Sequence, residues 1–152
     1  MRGMRALATT ACLGLFAACG TASVPETTGF TAPPMLSLTS RDATYQIGVR
    51  TSPQPPTRGE QSVEYTILDA TGGPATGLTL VVVPWMPSMG HGTAVTPVVS
   101  ETTPGTYLIA DVDFFMPGQW VLRTTILGPP GSEASADSDI PSDYVQPSFE
   151  IP

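Results

Sequence analysis

The chain has 152 residues, with thirteen acidic side chains against six basic ones and a net charge of −7 at neutral pH. It contains no lysine, and such an acidic surface excludes the basic patches that nucleic acids and anionic lipid heads require. Seventeen prolines and fifteen glycines punctuate the chain, a density that suits turns and loose segments and would be costly inside helices.

The predicted elements begin with an export signal over residues 1–18. Arg2 and Arg5 give a short positive start, and Leu7 to Ala18 is apolar or small and carries no charge, a run too short to span a bilayer. It ends in Leu15-Phe16-Ala17-Ala18-Cys19, which resembles a bacterial lipobox. That resemblance implies a mature chain beginning at Cys19, lipidated there and held on the membrane by its acyl chains. Gly20 follows the cysteine where an acidic residue would argue for inner-membrane retention, so the pattern implies an outer membrane, facing the periplasm, in a two-membraned cell. Removing the signal leaves four basic against thirteen acidic residues, a mature charge of −9, and no thiol other than Cys19. With no partner for a disulfide, the domain has to be held together by its core.

Residues 19–34 are rich in Thr, Pro, Ala and Ser and are read as a flexible tether. Residues 35–127 form the domain, a length suited to one small core. Short stretches there alternate between apolar and polar residues and are bounded by Gly or Pro. The predicted strands are Leu36 to Leu38, Tyr45 to Val49, Ser62 to Asp69, Leu78 to Val83, Thr93 to Val99, Thr106 to Val112 and Gln119 to Ile126. Val63, Tyr65 and Ile67 fall on one face, while the continuous Leu78 to Val83 run predicts a strand covered on both faces. No helical apolar period is sustained between Met35 and Leu127. The expected fold is all-β, an immunoglobulin-like antiparallel β-sandwich of about seven strands, with a disordered tether before it and a disordered, acidic Pro/Ser-rich tail over 128–152. Within that tail only Tyr144-Val145 and Phe149-Glu150-Ile151 offer a short apolar return.

The chemistry concentrates in two turn-like stretches. Trp85-Met86-Pro87-Ser88-Met89-Gly90-His91-Gly92 holds two thioethers and the only histidine, and Phe114-Phe115-Met116-Pro117-Gly118-Gln119-Trp120 holds a third thioether. If successive strands reverse direction, both stretches lie at the same end of the sandwich. Thioethers are soft, neutral ligands that favour Cu(I), and imidazole suits either copper state or zinc. Met86, Met89, His91 and Met116 are therefore the candidate ligands, three of them around one ion, with Trp85 and Trp120 as candidate rings to shield it. The same residues also suit a role without metal, since methionines fill gaps in cores and a histidine between glycines is a common turn residue. One histidine and no nucleophile–base pair give an enzyme no foothold.

In order and spacing the Met86 to His91 loop, the Gly105-Thr106-Tyr107 strand start and the Met116-Pro117-Gly118-Gln119-Trp120 turn resemble the YtkA-like and FixH-like domain family over about Tyr45 to Leu127. That resemblance implies an extracytoplasmic β-sandwich, often on a lipoprotein or a membrane-anchored chain. FixH-like members are associated with assembly of copper-containing haem oxidases, but the transmembrane helix typical of them has no counterpart here. Two roles follow: a lipoprotein that binds or delivers copper to a copper protein, or a metal-free sandwich that interacts with another envelope protein.

Overall fold

Strict alternation in the first half of the domain builds one sheet. The computed structural model describes residues 29–128 and 142–152. The signal segment, Cys19, most of the tether and residues 129–141 of the expected tail lie outside the described residues. Strands β1 (Leu36–Thr39), β2 (Tyr45–Ser52) and β3 (Gly59–Asp69) pair antiparallel in sequence. Every second residue of β2 and β3 points inward: Ile47, Val49 and Thr51 on one, Val63, Tyr65 and Ile67 on the other, all buried.

Strands β4 (Thr79–Met86) and β5 (His91–Gly92) belong to the second sheet, whereas β6 (Val98–Thr103) and β7 (Thr106–Phe114) return to the first. Strand β8 (Gly118–Leu127) crosses back to pair with β4, and β9 (Ser142–Val145) and β10 (Ser148–Ile151) both pair with β8. The sheets run β1-β2-β3-β7-β6 and β10-β8-β4-β5. The protein is an all-β, immunoglobulin-like sandwich, and no helix among the described residues is long and apolar enough to cross a membrane.

Four features differ from the sequence-based expectation. First, there are ten strands among the described residues instead of about seven. Second, residues 142–152 are not disordered tail: Val145, Phe149 and Ile151 are buried, and β9 and β10 together line the length of β8, joined there by a hydrogen bond from Leu122 N to Pro147 O at 3.0 Å. Third, the strand expected over Thr93 to Val99 begins only at Val98. Thr93 Oγ1 accepts from Val95 N and donates to Val95 O, a local side-chain turn that takes the backbone out of a ladder, and Pro97 has no amide to contribute. Fourth, the Leu78 to Val83 run is covered on one face only, since Val81 and Val83 remain 48% and 45% exposed while Leu80 and Val82 are core.

A β-bulge on β7 positions the end of the sandwich that carries Met86, His91 and Phe115. Gln61 faces Val112 and Val63 faces Ile109, so β7 spends one residue more than β3 over this span. Asp111 takes a left-handed φ of 59° within it, a conformation that Asp tolerates better than most residues. Tyr107 and Ile109 point into the core before the bulge, and Val112 and Phe114 after it. The inward face thereby passes from odd to even positions, which puts Phe114 in the core and leaves Phe115 at its rim.

Candidate metal site

The first half of the site is a hairpin closed at close quarters. Leu80, Val82, Pro84 and Met86 form the buried face of β4, and Met86 is only 2% exposed. The chain then reverses through Pro87 to Gly90, with Met86 O accepting from Met89 N at 3.2 Å and from Gly90 N at 3.0 Å. It returns so that His91 stands opposite Met86 and Gly92 opposite Trp85. A Cβ at Gly92 would lie 2.5 Å from Pro84 O, so only glycine lets the two arms approach this closely. Directly opposed residues share a face, with Cβ atoms about 4.5–5.5 Å apart, and the Met86 thioether and His91 imidazole therefore project from the same side of the hairpin.

The second half is the crossover from β7 to β8, residues 115–117. It is pinned from two directions: Arg58 Nε donates to Phe115 O at 2.8 Å, and the buried Trp120 donates from Nε1 to Met116 O at 2.9 Å. The two halves touch. A Cβ on Gly118, whose φ is 121°, would lie 3.0 Å from the Met86 methyl, so glycine both adopts the backbone and leaves room for the thioether. The Phe115 ring stacks on His91 with centroids 5.9 Å apart and planes 19° from parallel, and it meets Trp120 edge-on at 5.4 Å.

Of the six residues singled out for metal chemistry, Met86 and His91 share one face, and Gly118, two residues after Met116, lies beside the Met86 methyl. Met116 itself is half-buried and packs against the core. Met89 stands on the hairpin tip, 55% exposed. Trp85 occupies the opposite face of β4 from Met86, where the Arg123 guanidinium covers its ring at 4.0 Å, a cation–π contact. Trp120 is wholly buried and braces the crossover through its hydrogen bond. The aromatic ring on the histidine is that of Phe115, which plain alternation along β7 does not single out. The signal for it was the conflict of parity between inward Tyr107 and Ile109 and apolar Val112 and Phe114, with the acidic Asp111 and Asp113 flanking Val112.

The electrostatics restrict what such a site can hold. Among the described residues no three His, Cys, Asp or Glu side chains come together, so a hard or borderline ion finds no ligand set of the usual kind. His91 Nδ1 lies 3.2 Å from Gly92 O. A carbonyl only accepts, so Nδ1 is the donor in this contact and Nε2 is the ring nitrogen that could face a metal. The donors this end of the sandwich offers are thioethers and one imidazole, residue types that suit a soft monovalent ion such as Cu(I).

The family described as YtkA-like matches residues 39–125, from the end of β1 to within β8. No curated protein matches the chain in sequence. Among solved structures, the copper-reconstituted P19 protein from Campylobacter jejuni is 13% identical, with 79% of this chain and 95% of that one covered and a TM-score of 0.49. The FetP protein of uropathogenic E. coli strain F11 is 14% identical, with 78% and 93% covered and a TM-score of 0.46. At that level of similarity no residue of either protein is matched to a residue here.

Proposed function

Since the chain belongs to the YtkA-like family, we propose that it is an envelope lipoprotein whose Met86–His91 end binds Cu(I) and passes it to another protein. The observation that carries this reading is the opposition of Met86 and His91 across a hairpin that only glycine can close, with Gly118, two residues after Met116, beside the Met86 methyl. Met86, Met116 and His91 Nε2 would hold the ion. Neutral soft donors stabilise Cu(I) without a thiolate, which suits a compartment where thiols oxidise. Phe115, stacked on the imidazole, holds the ring in place and keeps water from one of its faces. The role is binding and transfer, without catalysis.

The location proposed is the cell envelope, with Cys19 acylated and the domain on the periplasmic side of an outer membrane where there are two. One acyl chain gives marginal binding and several give a firm anchor, at roughly 0.8 kcal/mol per buried CH₂.

Anaerobic titration of the mature chain carrying Cys19→Ser with Cu(I), against a chromogenic chelator, tests the metal reading. Binding of one ion per chain is expected, weakened about tenfold or more in His91→Ala, a change of about 1.4 kcal/mol or more. No retention against the chelator at micromolar copper refutes it. Cell fractionation tests the anchor: Cys19→Ser is expected to release the protein from membranes, and continued attachment contradicts acylation. The second reading, a metal-free module that docks on another envelope protein, is favoured by the exposed Val81 and Val83 on the outer face of β4. Failure to bind copper leaves that reading standing.

A further inference from the structure

We propose that the two methionines of the hairpin divide the labour of copper transfer: Met89 is the ligand that exchanges the ion with a donor or acceptor, while Met86 retains it. The inference rests on the Cu(I) reading above and assigns distinct roles within that site.

The two thioethers are three residues apart and their surroundings are opposite. Met86 is 2% exposed and belongs to the buried core. Met89 is 55% exposed, and it is not among the partly buried apolar side chains that pack against that core, whereas Met116 is. The usual explanation for a methionine, that it fills a gap, therefore covers Met86 and Met116 and fails for Met89. Leaving a large apolar side chain in water forgoes much of the roughly 1.5–3 kcal/mol that full burial gives, so Met89 is not kept on the tip for stability. Alternation along β4 turns Met86 inward, and the bonds from Met89 N and Gly90 N to Met86 O close the turn that carries Met89.

This geometry also sets the order of contact. A protein or chelator holding Cu(I) meets the apex first, because Met86 lies beneath the hairpin and against Gly118. Met89 takes the ion by forming one S–Cu bond as one bond to the donor breaks. His91, two residues further on and half-buried, and then Met86 and Met116 form their bonds as the remaining donor bonds and the Met89 bond break. Copper remains Cu(I) throughout. The thioethers are neutral and exchange no proton, and a neutral His91 imidazole binds through Nε2 without losing one. Release runs through the same steps in reverse, so Met89 speeds loading and unloading by the same factor.

The experiment is stopped-flow transfer from the Cu(I)–bicinchoninate complex to the mature chain carrying Cys19→Ser, with the reverse transfer measured by adding excess bicinchoninate. Met89→Leu keeps the size and apolar character of the side chain and removes the sulfur. It is expected to slow both directions by about tenfold or more, equivalent to a barrier raised by about 1.4 kcal/mol. Met86→Leu is expected to lower equilibrium affinity by a comparable factor, chiefly through faster release. Unchanged transfer rates in Met89→Leu overturn the inference, and so does a loss of affinity in Met89→Leu equal to that in Met86→Leu, which would make Met89 a retaining ligand. A native chain that takes up no copper refutes the underlying function as well, an outcome distinct from the other two. Mild peroxide treatment followed by peptide mass spectrometry gives a readout without copper: Met89 is expected to become sulfoxide before Met86. Oxidation of Met86 first overturns the assignment.

Discussion

The Met86–Gly92 hairpin and the β9–β10 segment lie on opposite sides of the β4–β8 pair in one sheet, and they spend their residues differently. The hairpin is local: four residues close a turn, two short arms pair, and Met89 is left in solvent. The C-terminal segment is built from distant partners: Val145, Phe149 and Ile151 are buried against strands far away in sequence, and Phe149 meets Phe114 at 5.8 Å. One region presents donor atoms while the other supplies core. The difference teaches that the stability of the site end is held from outside the hairpin, because Ile151 pairs with Gly118 and Phe149 with Trp120, the residues that seat and brace the crossover.

The largest effect is expected from hollowing out the C-terminal side. Phe149→Ala is expected to destabilise the protein by about 3–5 kcal/mol, the range for deleting a buried aromatic, read as a lower urea midpoint at unchanged slope. A cost under 1 kcal/mol would mean that β10 is an accessory flap and that the core closes without it. The next largest effect belongs to the hairpin. Gly92→Ala places a methyl where Pro84 O stands, and the arms have to part. The expected cost is about 1–3 kcal/mol, as for other forced overpacking, together with weaker Cu(I) binding in the titration described above. Lost stability with intact copper binding would show that the Met86–His91 opposition is not what holds the ion.

These two regions also differ in how far they can be read from the chain. The hairpin was legible because its chemistry is local: soft donors, glycines and proline stand together, and reversing strands carry Met116 to the same end. The strands of the first sheet were legible because Ile47, Val49, Val63, Tyr65 and Ile67 obey a period of two. The C-terminal strands were not, since four-residue pieces split by Gln146-Pro147 among Ser, Pro and Asp have no local signal stronger than that of a tail. Their stability comes from pairing with β8, which no local pattern encodes. Phe115 was hidden for a different reason. A single bulge at Asp111 reverses which residues point inward, so the ring on His91 came from the crossover and neither tryptophan supplied it.

The smallest effect expected sharpens the comparison through pH. Asp143, at the far end of the C-terminal segment, ties β9 to the loop before β2. Its carboxylate accepts from the Ser40 hydroxyl, from Asp42 N at 2.9 Å and from Tyr144 N at 2.7 Å, while Arg41 N donates to Tyr144 O at 2.8 Å. Burial pushes this carboxyl up, but the hydrogen bonds from Ser40, the Asp42 and Tyr144 amides and Thr44 more than offset it, and the group is held below the ordinary value of 3.8. Arg41 and Tyr45 are the other titrating groups that feel its charge. A lowered folded value means that the ionised form is the stabilising one. Its contribution is complete above the unfolded value near 3.8 and is lost as pH falls below that, through the lower folded value. Asp143→Asn removes the charge but keeps one acceptor oxygen, and is expected to cost about 1 kcal/mol at pH 7, the net worth of a typical hydrogen bond. The gap between native and variant should stay constant from pH 7 to about 5 and close as pH falls below about 4. Asp69, also lowered by its bonds to Thr71 and Gly73, titrates in the same range in both proteins and cancels from the difference. A gap that persists unchanged at pH 2 would mean that the asparagine disturbs packing, and that the clasp does not depend on the charge of Asp143.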